Sequence, residues 1–222
     1  MVESHSEYLA ETPLAALHRE LGGRMVGFAG YALPVQYPAG IMAEHLHCRA
    51  AAALFDVSHM GQAELRGEGA AAALEALTPA DVAGLKPGRQ RYGLLTSESG
   101  GILDDFMFAN LGDRIFLVVN ASRKEHDFGH IAAHLPQGVT LHRHEDRALL
   151  ALQGPGAVPA LAALAPGLAT FSFMGIGSFD IDGVSAIISR SGYTGEDGVE
   201  ISVPADQAEA FARRLLALPG VM

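Results

Sequence analysis

Residues 100–119 read GGILDDFMFANLGDRIFLVV, and this stretch decides the fold that the sequence predicts. Two apolar runs, 102–109 and 115–119, flank a short segment that includes Asn110, Gly112 and Asp113. These residue types are typical of the loop of a β-hairpin, because they tolerate the backbone angles that a tight loop needs. The stretch is therefore predicted to form two antiparallel strands. Asp182-Gly183 marks a second hairpin, between strands at 178–181 and 184–189.

Further elements follow from the apolar patterning of the rest of the chain. Short apolar runs predict strands at 60–65, 92–96, 139–142, 148–152 and 199–203. Apolar residues at helical spacing, or Ala-rich composition, predict helices at 14–21, 41–54, 69–77, 122–135, 155–164 and 206–218. Thr12 and Pro13 are the expected N-cap and first residue of the first helix.

The order of these elements predicts the fold class. Strands and helices do not alternate strictly, which favours an α+β architecture with antiparallel sheets flanked by helices. Gly154-Pro155-Gly156 is a candidate boundary between subdomains at 1–153 and 154–222.

The composition excludes several classes of protein. Of 222 residues, 49% are hydrophobic and 18% are charged, which is enough apolar material for a buried core. With 15 Lys and Arg against 25 Asp and Glu, the net charge of −10 disfavours nucleic acid as a partner. No apolar run is long enough to span a membrane, and Met1 to Glu11 lacks the features of a signal or transit peptide. We therefore expect a cytoplasmic, bacterial protein with no membrane partner.

Asp104 and Asp105 are adjacent carboxylates within an apolar predicted strand. Because side chains alternate on a strand, Asp105 is expected to share a face with Leu103 and Met107, and Asp104 with Ile102, Phe106 and Phe108. At least one carboxylate then lies among apolar neighbours, which is costly unless it is paired or used in chemistry. The alternative is that both cap backbone amides beside the Gly-Gly turn. The residues alone favour neither interpretation.

A glycine-rich acidic segment, SRSGYTGEDGVE, occupies residues 189–200. Its glycines indicate a tight turn that brings the backbone close to another group. It lacks the Gly-Lys-Ser/Thr ending of a phosphate-binding loop, so no nucleotide is expected. Glu200, at the start of a predicted strand, could accept hydrogen bonds from a nitrogen-rich ring. An exposed acidic turn is the plainer alternative.

The chain shows no pattern of metal ligands. The ten histidines lack zinc-ligand spacing, and the single cysteine, Cys48, can form neither a thiolate cluster nor an internal disulfide. His142 and His144 are interpreted as surface residues. No metal is therefore expected, and the lack of a Gly-x-Ser-x-Gly motif argues against a serine hydrolase.

Together these segments resemble the glycine cleavage T-protein family of aminomethyltransferases, from Thr12 to the end of the chain. The runs that carry the resemblance are FAGY at 28–31 with Pro34, FDVSHMG at 55–61, GGILDD at 100–105, VVNA at 118–121, ALQGP at 151–155 and GYTGEDGVE at 192–200. The resemblance implies the folate-binding fold of this family. In its members a Gly- and Arg-rich segment and a C-terminal β-barrel domain follow.

Members of this family take an aminomethyl group from the lipoyl arm of the H protein and transfer its one-carbon unit to tetrahydrofolate, with release of ammonia. The resemblance implies this activity, with tetrahydrofolate as acceptor substrate and lipoylated H protein as partner. The family's essential aspartate falls on Asp105, where a carboxylate can orient the accepting amine, and Asp104 would be structural. The other implied folate contacts are Met60, Tyr92, Asn120, Tyr193 and Glu200. Glu200 would accept from the pterin edge, Asn120 would orient the ring, and the tyrosines would pack on it.

Two features depart from the family pattern. Ala109 stands where some members have Tyr, so the affinity or orientation of folate is expected to differ. The chain also ends at Met222, before the barrel domain and an arginine that contacts folate in the family. We therefore expect a fragment with doubtful transfer activity of its own.

Three other functions stay open. The first is a folate-binding paralogue without aminomethyl transfer, although such relatives carry a Lys-Gly-Cys-type motif where this chain has residues 191–198. The second is the folate-binding part of a flavin-dependent demethylase, although no dinucleotide-binding glycine motif is present. The third is a catalytically silent interaction module, which tetrahydrofolate binding would separate from the other two.

Overall fold

The computed structural model describes residues 9–222, in which two five-stranded sheets are stacked between layers of helices. The helices are α1 Ala15–Glu20, α2 Ile41–Ala50, α3 Ala70–Glu75, α4 Lys124–Ala133, α5 Ala157–Ala162 and α6 Ala208–Leu216. The strands are β1 Ala10–Glu11, β2 Met25–Phe28, β3 Tyr31–Pro34, β4 Ala53–Asp56, β5 Gly61–Arg66, β6 Arg89–Thr96, β7 Ile102–Asn110, β8 Ile115–Val119, β9 Thr140–Arg143, β10 Arg147–Gln153, β11 Ile176–Ile181, β12 Val184–Ser189 and β13 Gly198–Pro204. The prediction of an α+β protein with antiparallel sheets flanked by helices is confirmed.

The Asp105 sheet has the strand order β6-β7-β8-β5-β9, and every pairing in it is antiparallel. The predicted hairpin forms its centre, with Asn110 opposite Ile115 and Phe106 opposite Val119. One face of the sheet packs against α3 and α4 through a buried cluster that includes Leu95, Phe108 and Ile131. The apolar runs therefore became strands because one of their faces is covered by helices.

The Glu200 sheet has the strand order β11-β12-β13-β10-β4 and is also antiparallel. Its outer face packs against α1, α5 and α6, and α6 contributes a buried stripe of Ala208, Phe211, Ala212 and Leu215. Alternation along β13 turns Val199, Ile201 and Val203 to these helices. Glu200 and Ser202 are thereby left facing the other sheet.

The two sheets meet through a small apolar cluster of Ala109, Phe116, Ile176 and Ile187. Polar residues surround this cluster within the gap. Ser202 donates a hydrogen bond to Gln62 across the sheets at 2.5 Å. Ala109 is 2% exposed, so the position where some family members have Tyr is filled here by packing between the sheets.

Two details of the predicted elements are wrong. The second helix ends at Ala50, and Ala53–Asp56 is a strand because it pairs with β10 in the Glu200 sheet. Thr12 does not cap α1, since its hydroxyl donates a hydrogen bond to Asp56 Oδ2 at 2.6 Å. Residues 25–34, for which the sequence predicted no element, form a hairpin, β2–β3, which joins β1 in a three-stranded sheet.

Two expectations about the ends and divisions of the chain stay predictions. A boundary after residue 153 falls between β10 and β13, which pair in one sheet, so the two proposed subdomains would share that sheet. The expectation that Met1 to Glu11 carries no targeting signal lies mostly outside the described residues. Across residues 9–222, no helix has the length and apolar character needed to cross a membrane.

Candidate active site

Asp105 lies near the centre of the Asp105 sheet, on the face that looks towards the Glu200 sheet. Its strand neighbour Phe106 is opposite Gly93 on one side and Val119 on the other, and Gly61 is also opposite Val119. The next residue along each of these three segments is Asp105, Asn120 or Met60, so these residues are adjacent. Three residues from separate segments of the sequence meet because the register of β5, β7 and β8 aligns them.

A β-bulge changes the orientation of the residues before Asp105. Leu95 is opposite Asp104 and Thr96 is opposite Ile102, which leaves Leu103 as the extra residue. Leu103 packs against the cluster that contains Phe106 and Phe108, so it does not share the face of Asp105 as simple alternation predicted. The remaining alternation holds, with Asp105 and Met107 on one face and Asp104 on the other.

Asn120 connects the two aspartates. Its Nδ2 donates to Asp105 Oδ1 at 2.8 Å and lies 3.3 Å from each carboxylate oxygen of Asp104. Asn120 ends β8 at the start of a 3-10 turn, Ala121–Arg123, which leads into α4. Its amide therefore fixes the direction in which the Asp105 carboxylate points.

Tyr92 lies beside Asp105 on the same face of the sheet, directly opposite Met107 on β7. Its side chain is 46% exposed, so the ring is available to a ligand. Hydrogen bonding to the Asp105 carboxylate, followed by partial burial and the charges of Asp105 and Asp104, raises the pKa of Tyr92. The hydroxyl therefore stays protonated and remains a hydrogen-bond donor at neutral pH.

Glu200 faces these residues from the other sheet. Ser191 Oγ donates to Glu200 Oε2 at 2.9 Å, and Ser189 Oγ lies 2.9 Å from Ser191 Oγ. Burial raises the pKa of Glu200, and the hydrogen bond from Ser191 only partly offsets this effect. Glu200 and Met107 also border a cavity of about 10 Å³ between the sheets, which has room for about one water molecule. A larger ligand must therefore bind at the open end of the gap.

Tyr193 projects from the loop that precedes β13 and is 71% exposed. Burial of its hydroxyl end and the charges of Glu200 and Asp105 raise the pKa of Tyr193 to about 12. The two sheets thus bring Tyr92, Asp105, Tyr193 and Glu200 to one place.

Gln153 holds the Tyr193 loop in position, a role that the sequence did not reveal. Its Nε2 donates to the carbonyl oxygens of Ser191 at 2.9 Å and Val199 at 3.2 Å, and its Oε1 accepts from Thr194 Oγ1 at 2.9 Å. A Cβ atom on Gly192 would lie 1.9 Å from Gln153 Oε1, and one on Gly198 would lie 2.5 Å from its Nε2. The loop is glycine-rich because its backbone wraps closely around this amide.

Met60 lies at the end of a loop that is anchored by Asp56. Asp56 Oδ1 accepts from the backbone N–H of Ser58 at 2.9 Å, and Asp56 Oδ2 lies 2.8 Å from His18 Nε2. Met60 also borders a cavity of about 400 Å³, which is lined by Lys124, Arg147 and other polar residues but by none of the other predicted folate contacts. This cavity is therefore separate from the face of Asp105.

The histidines and acidic residues suggest no metal centre. Within residues 9–222, no group of three or more His, Cys, Asp or Glu side chains has an arrangement suited to a metal ion. The interpretation of His144 as a surface residue is wrong, since its side chain is 11% exposed and its Nε2 lies 3.2 Å from Glu64 Oε1. His142, its neighbour on β9, is exposed as predicted.

Comparison with known proteins gives one consistent result. The family model described as the GCVT N-terminal domain matches residues 14–219. The mitochondrial aminomethyltransferase of Dictyostelium discoideum is 41% identical over 224 residues, which cover 96% of this chain and 56% of that protein. The aminomethyltransferase of Chlorobium chlorochromatii is 42% identical over 218 residues, which cover 94% of this chain and 58% of that protein.

A solved structure shows the same fold. The crystal structure of glycine cleavage system aminomethyltransferase T from Bartonella henselae superposes with a TM-score of 0.90 at 40% sequence identity. The match covers 96% of this chain and 59% of that chain. The chain thus spans between half and two thirds of the length of the proteins it matches.

Proposed function

The chain belongs to the family of the GCVT N-terminal domain. We propose that it binds tetrahydrofolate between its two sheets. The bound folate accepts the one-carbon unit of an aminomethyl group carried by the lipoyl arm of the H protein, and ammonia is released. The activity, its substrates and the H-protein partner are proposals, because the chain covers 56% of its Dictyostelium discoideum relative. The bacterial cytoplasm is the proposed location.

One observation carries this proposal, namely the arrangement of acidic and aromatic groups across the gap. Asp105 and Tyr92 come from one sheet, whereas Glu200 comes from the other sheet and Tyr193 from the loop that precedes β13. A reduced pterin is flat and rich in N–H donors, so it suits two carboxylates flanked by exposed tyrosine rings. Such a ligand also fits an open groove better than an enclosed pocket.

The roles of the residues follow from this geometry. Asp105, held by Asn120, accepts a hydrogen bond from the folate amine and orients its lone pair for attack on the methylene carbon. Glu200 accepts from the pterin edge in its ionised form, and its raised pKa means that it keeps its proton to a higher pH than an exposed glutamate does. Met60 is proposed as an apolar contact beside Asn120.

Thermal unfolding in the presence of a stable reduced folate, 5-formyltetrahydrofolate, tests this proposal. At a ligand concentration of about 100 Kd, the wild-type chain is expected to gain roughly 5–10 °C in Tm, because only the folded state binds. Asp105→Ala and Glu200→Ala should lose most of this gain. Asp206→Ala, which removes an exposed carboxylate outside the site, should retain it. A cooperatively folded wild type with no saturable shift would contradict folate binding by this chain.

A transfer assay separates aminomethyl transfer from simple folate binding. Aminomethylated H protein and tetrahydrofolate are mixed with the chain, and released ammonia is measured. Ammonia release that depends on Asp105 supports the transferase proposal. Folate binding without any release would leave the chain as a folate-binding protein that does not complete the reaction.

A further inference from the structure

A second buried carboxyl group lies behind the Asp104–Asp105 pair. Asp127 is on α4, which covers the face of the Asp105 sheet that Asp104 shares with Phe106. Its side chain is completely buried. Its Oδ1 lies 3.0 Å from His126 Nδ1, whereas its Oδ2 has no hydrogen-bond partner among the described residues.

The unpaired Oδ2 atom of Asp127 departs from the usual behaviour of buried polar atoms. Buried polar atoms are almost always hydrogen-bonded, because leaving one unpaired has a large desolvation cost. Asp127 lies in the first turn of α4, where the helix dipole favours negative charge, but the dipole supplies no partner for Oδ2. A proton on one carboxyl group, donated to a second, would satisfy both atoms.

Asp104 is the group that can share this proton. Burial raises the pKa of Asp127 to about 6, with hydrogen bonding and charge repulsion from Asp104 adding to the effect and His126 opposing it. The other charged or titratable groups beside this cluster include Arg123, whose guanidinium lies 3.1 Å from His126 Nδ1, and His130, whose ring stacks on that of His126. Because the charge of Asp104 opposes ionisation of Asp127, Asp127 retains its proton into the pH range where an isolated Asp has lost it.

We propose that Asp127 is a positioning residue that shares one proton with Asp104 and thereby holds Asn120, and through it Asp105, in place. With the proton present, Asp104 is bound on one side by Asp127 and needs only one N–H of Asn120. The other N–H of Asn120 is then free for Asp105, 2.8 Å away. The link from Asn120 to folate rests on the proposed function, whereas the shared proton does not.

Loss of the proton weakens this arrangement. Asp104 and Asp127 then repel each other, and Asp104 competes more strongly with Asp105 for the Asn120 amide. The two distances of 3.3 Å from Asn120 Nδ2 to Asp104 show that this competition is geometrically available. Folate affinity is therefore expected to fall as the pH rises through about 6.

Carboxyl-carbon NMR of protein labelled at aspartate tests the shared proton without any ligand. The signal of Asp127 is expected to move in a step near pH 6, and Asp127→Asn should abolish that step. Asp206→Asn is the control and should leave it unchanged. Titration of Asp127 near the ordinary aspartate value, or a midpoint that does not fall in Asp104→Asn, would overturn the shared proton.

Folate binding at pH 5.5 and 7.5 tests the positioning role. Wild type is expected to bind 5-formyltetrahydrofolate several-fold more weakly at the higher pH. Asp127→Asn, whose amide always donates to Asp104, should show a clearly smaller change. Asp127→Ala should bind roughly fivefold more weakly than Asp127→Asn at both pH values, the effect of one lost hydrogen bond. Wild type and both Asp127 variants contain Glu200. The effect of its titration on folate affinity therefore cancels when their pH dependences are compared.

The NMR and binding measurements test separate claims, so each can fail independently of the other. An unchanged pH dependence in Asp127→Asn overturns the positioning role, even if NMR supports the shared proton. No folate binding by folded wild type contradicts the proposed function and the positioning role together, and the NMR result then decides the shared proton alone.

Discussion

At the level of single residues, Glu200 combines a cost in stability with a proposed role in binding. Its pKa is raised by burial, so the folded state holds the proton more tightly than the unfolded state does. The free energy of unfolding therefore falls as the pH rises from about 4.5 through the folded pKa, and the loss persists above it. Because Glu200→Gln cannot ionise, it should lack this fall and be at least as stable as wild type at pH 8.

The same substitution should weaken folate binding. A glutamine has one acceptor oxygen where the carboxylate has two, and its NH2 group opposes N–H donors. Affinity is expected to drop roughly tenfold. Urea unfolding at pH 4 and pH 8 measures the stability, and a folate titration measures the affinity. A variant that is less stable than wild type at pH 8 would contradict this account of Glu200.

The residues of the site differ in how far their placement could be predicted. The resemblance pointed to Asp105, Asn120 and Glu200, and their roles stay predictions. Gln153 and Asp127 were missed, although both support predicted site residues. Each acts on partners that are distant in the sequence, so no local pattern indicates that its side chain turns inward.

At the level of elements, the Tyr193 loop depends on the lack of side chains at its glycines. A Cβ atom on Gly198 would lie 2.6 Å from the carbonyl oxygen of Leu152, a backbone atom that cannot move without disturbing β10. We expect Gly198→Ala to lower the free energy of unfolding by roughly 1–3 kcal/mol, the usual effect of overpacking. It should also reduce the folate response, because β13 carries Glu200.

Gly129 provides a matched control for that substitution. It lies within α4, and a Cβ atom there would meet no atom within 4 Å. Gly129→Ala should therefore raise the free energy of unfolding by up to about 1 kcal/mol through helix propensity. Urea unfolding of both variants tests the pair. Equal stability of the two would contradict the close packing around Gln153.

The elements that were wrongly predicted share one physical cause. Residues 51–54 have the Ala-rich composition of a helix, yet β4 includes Ala53 and Leu54 because pairing with β10 outweighs their local preference. The bulge at Leu103 is likewise set by the register between β6 and β7. Strand β4 and the bulge both depend on pairing with another strand, which a local sequence pattern does not include.

At the level of the whole molecule, a buried ionic cluster centred on Glu64 fills part of the space between the sheets. Glu64 is 2% exposed and accepts from Arg66 Nη2 at 2.6 Å and Arg114 Nε at 2.8 Å. Burial alone would raise the pKa of Glu64, but these hydrogen bonds hold it below its usual value. Its contribution to stability is therefore present above pH 4.5 and lost as the pH falls through the folded pKa.

Glu64→Gln should lower the free energy of unfolding by roughly 2–3 kcal/mol at pH 7, less than for a fully buried pair because Arg66 reaches solvent. The difference from wild type should shrink below pH 4. Glu125→Gln, which breaks an exposed pair with Arg143, should cost at most about 1 kcal/mol. Denaturant unfolding at pH 7 and pH 3.5 measures both, and a pH-independent effect of Glu64→Gln would contradict the assigned cause.

The stacking of the two sheets is the feature that the sequence predicted least. The apolar runs indicated where strands lie, but not that β7, β8 and β13 are covered on both sides. The proposed site depends on this stacking, because Asp105 and Glu200 belong to different sheets. A prediction confined to single elements could name these residues without showing that they meet.

Methionine-methyl NMR tests most directly whether folate binds between the sheets. Met107 borders the gap between the sheets and Met60 lies beside Asn120 by register, whereas Met42 on α2 and Met222 at the end of the chain lie elsewhere. Titration with 5-formyltetrahydrofolate should shift the signals of Met60 and Met107 saturably with one Kd, leave those of Met42 and Met222 in place, and have no effect in Asp105→Ala. Shifts confined to Met42 or Met222, or an unchanged Met107 signal at saturation, would contradict the proposed site.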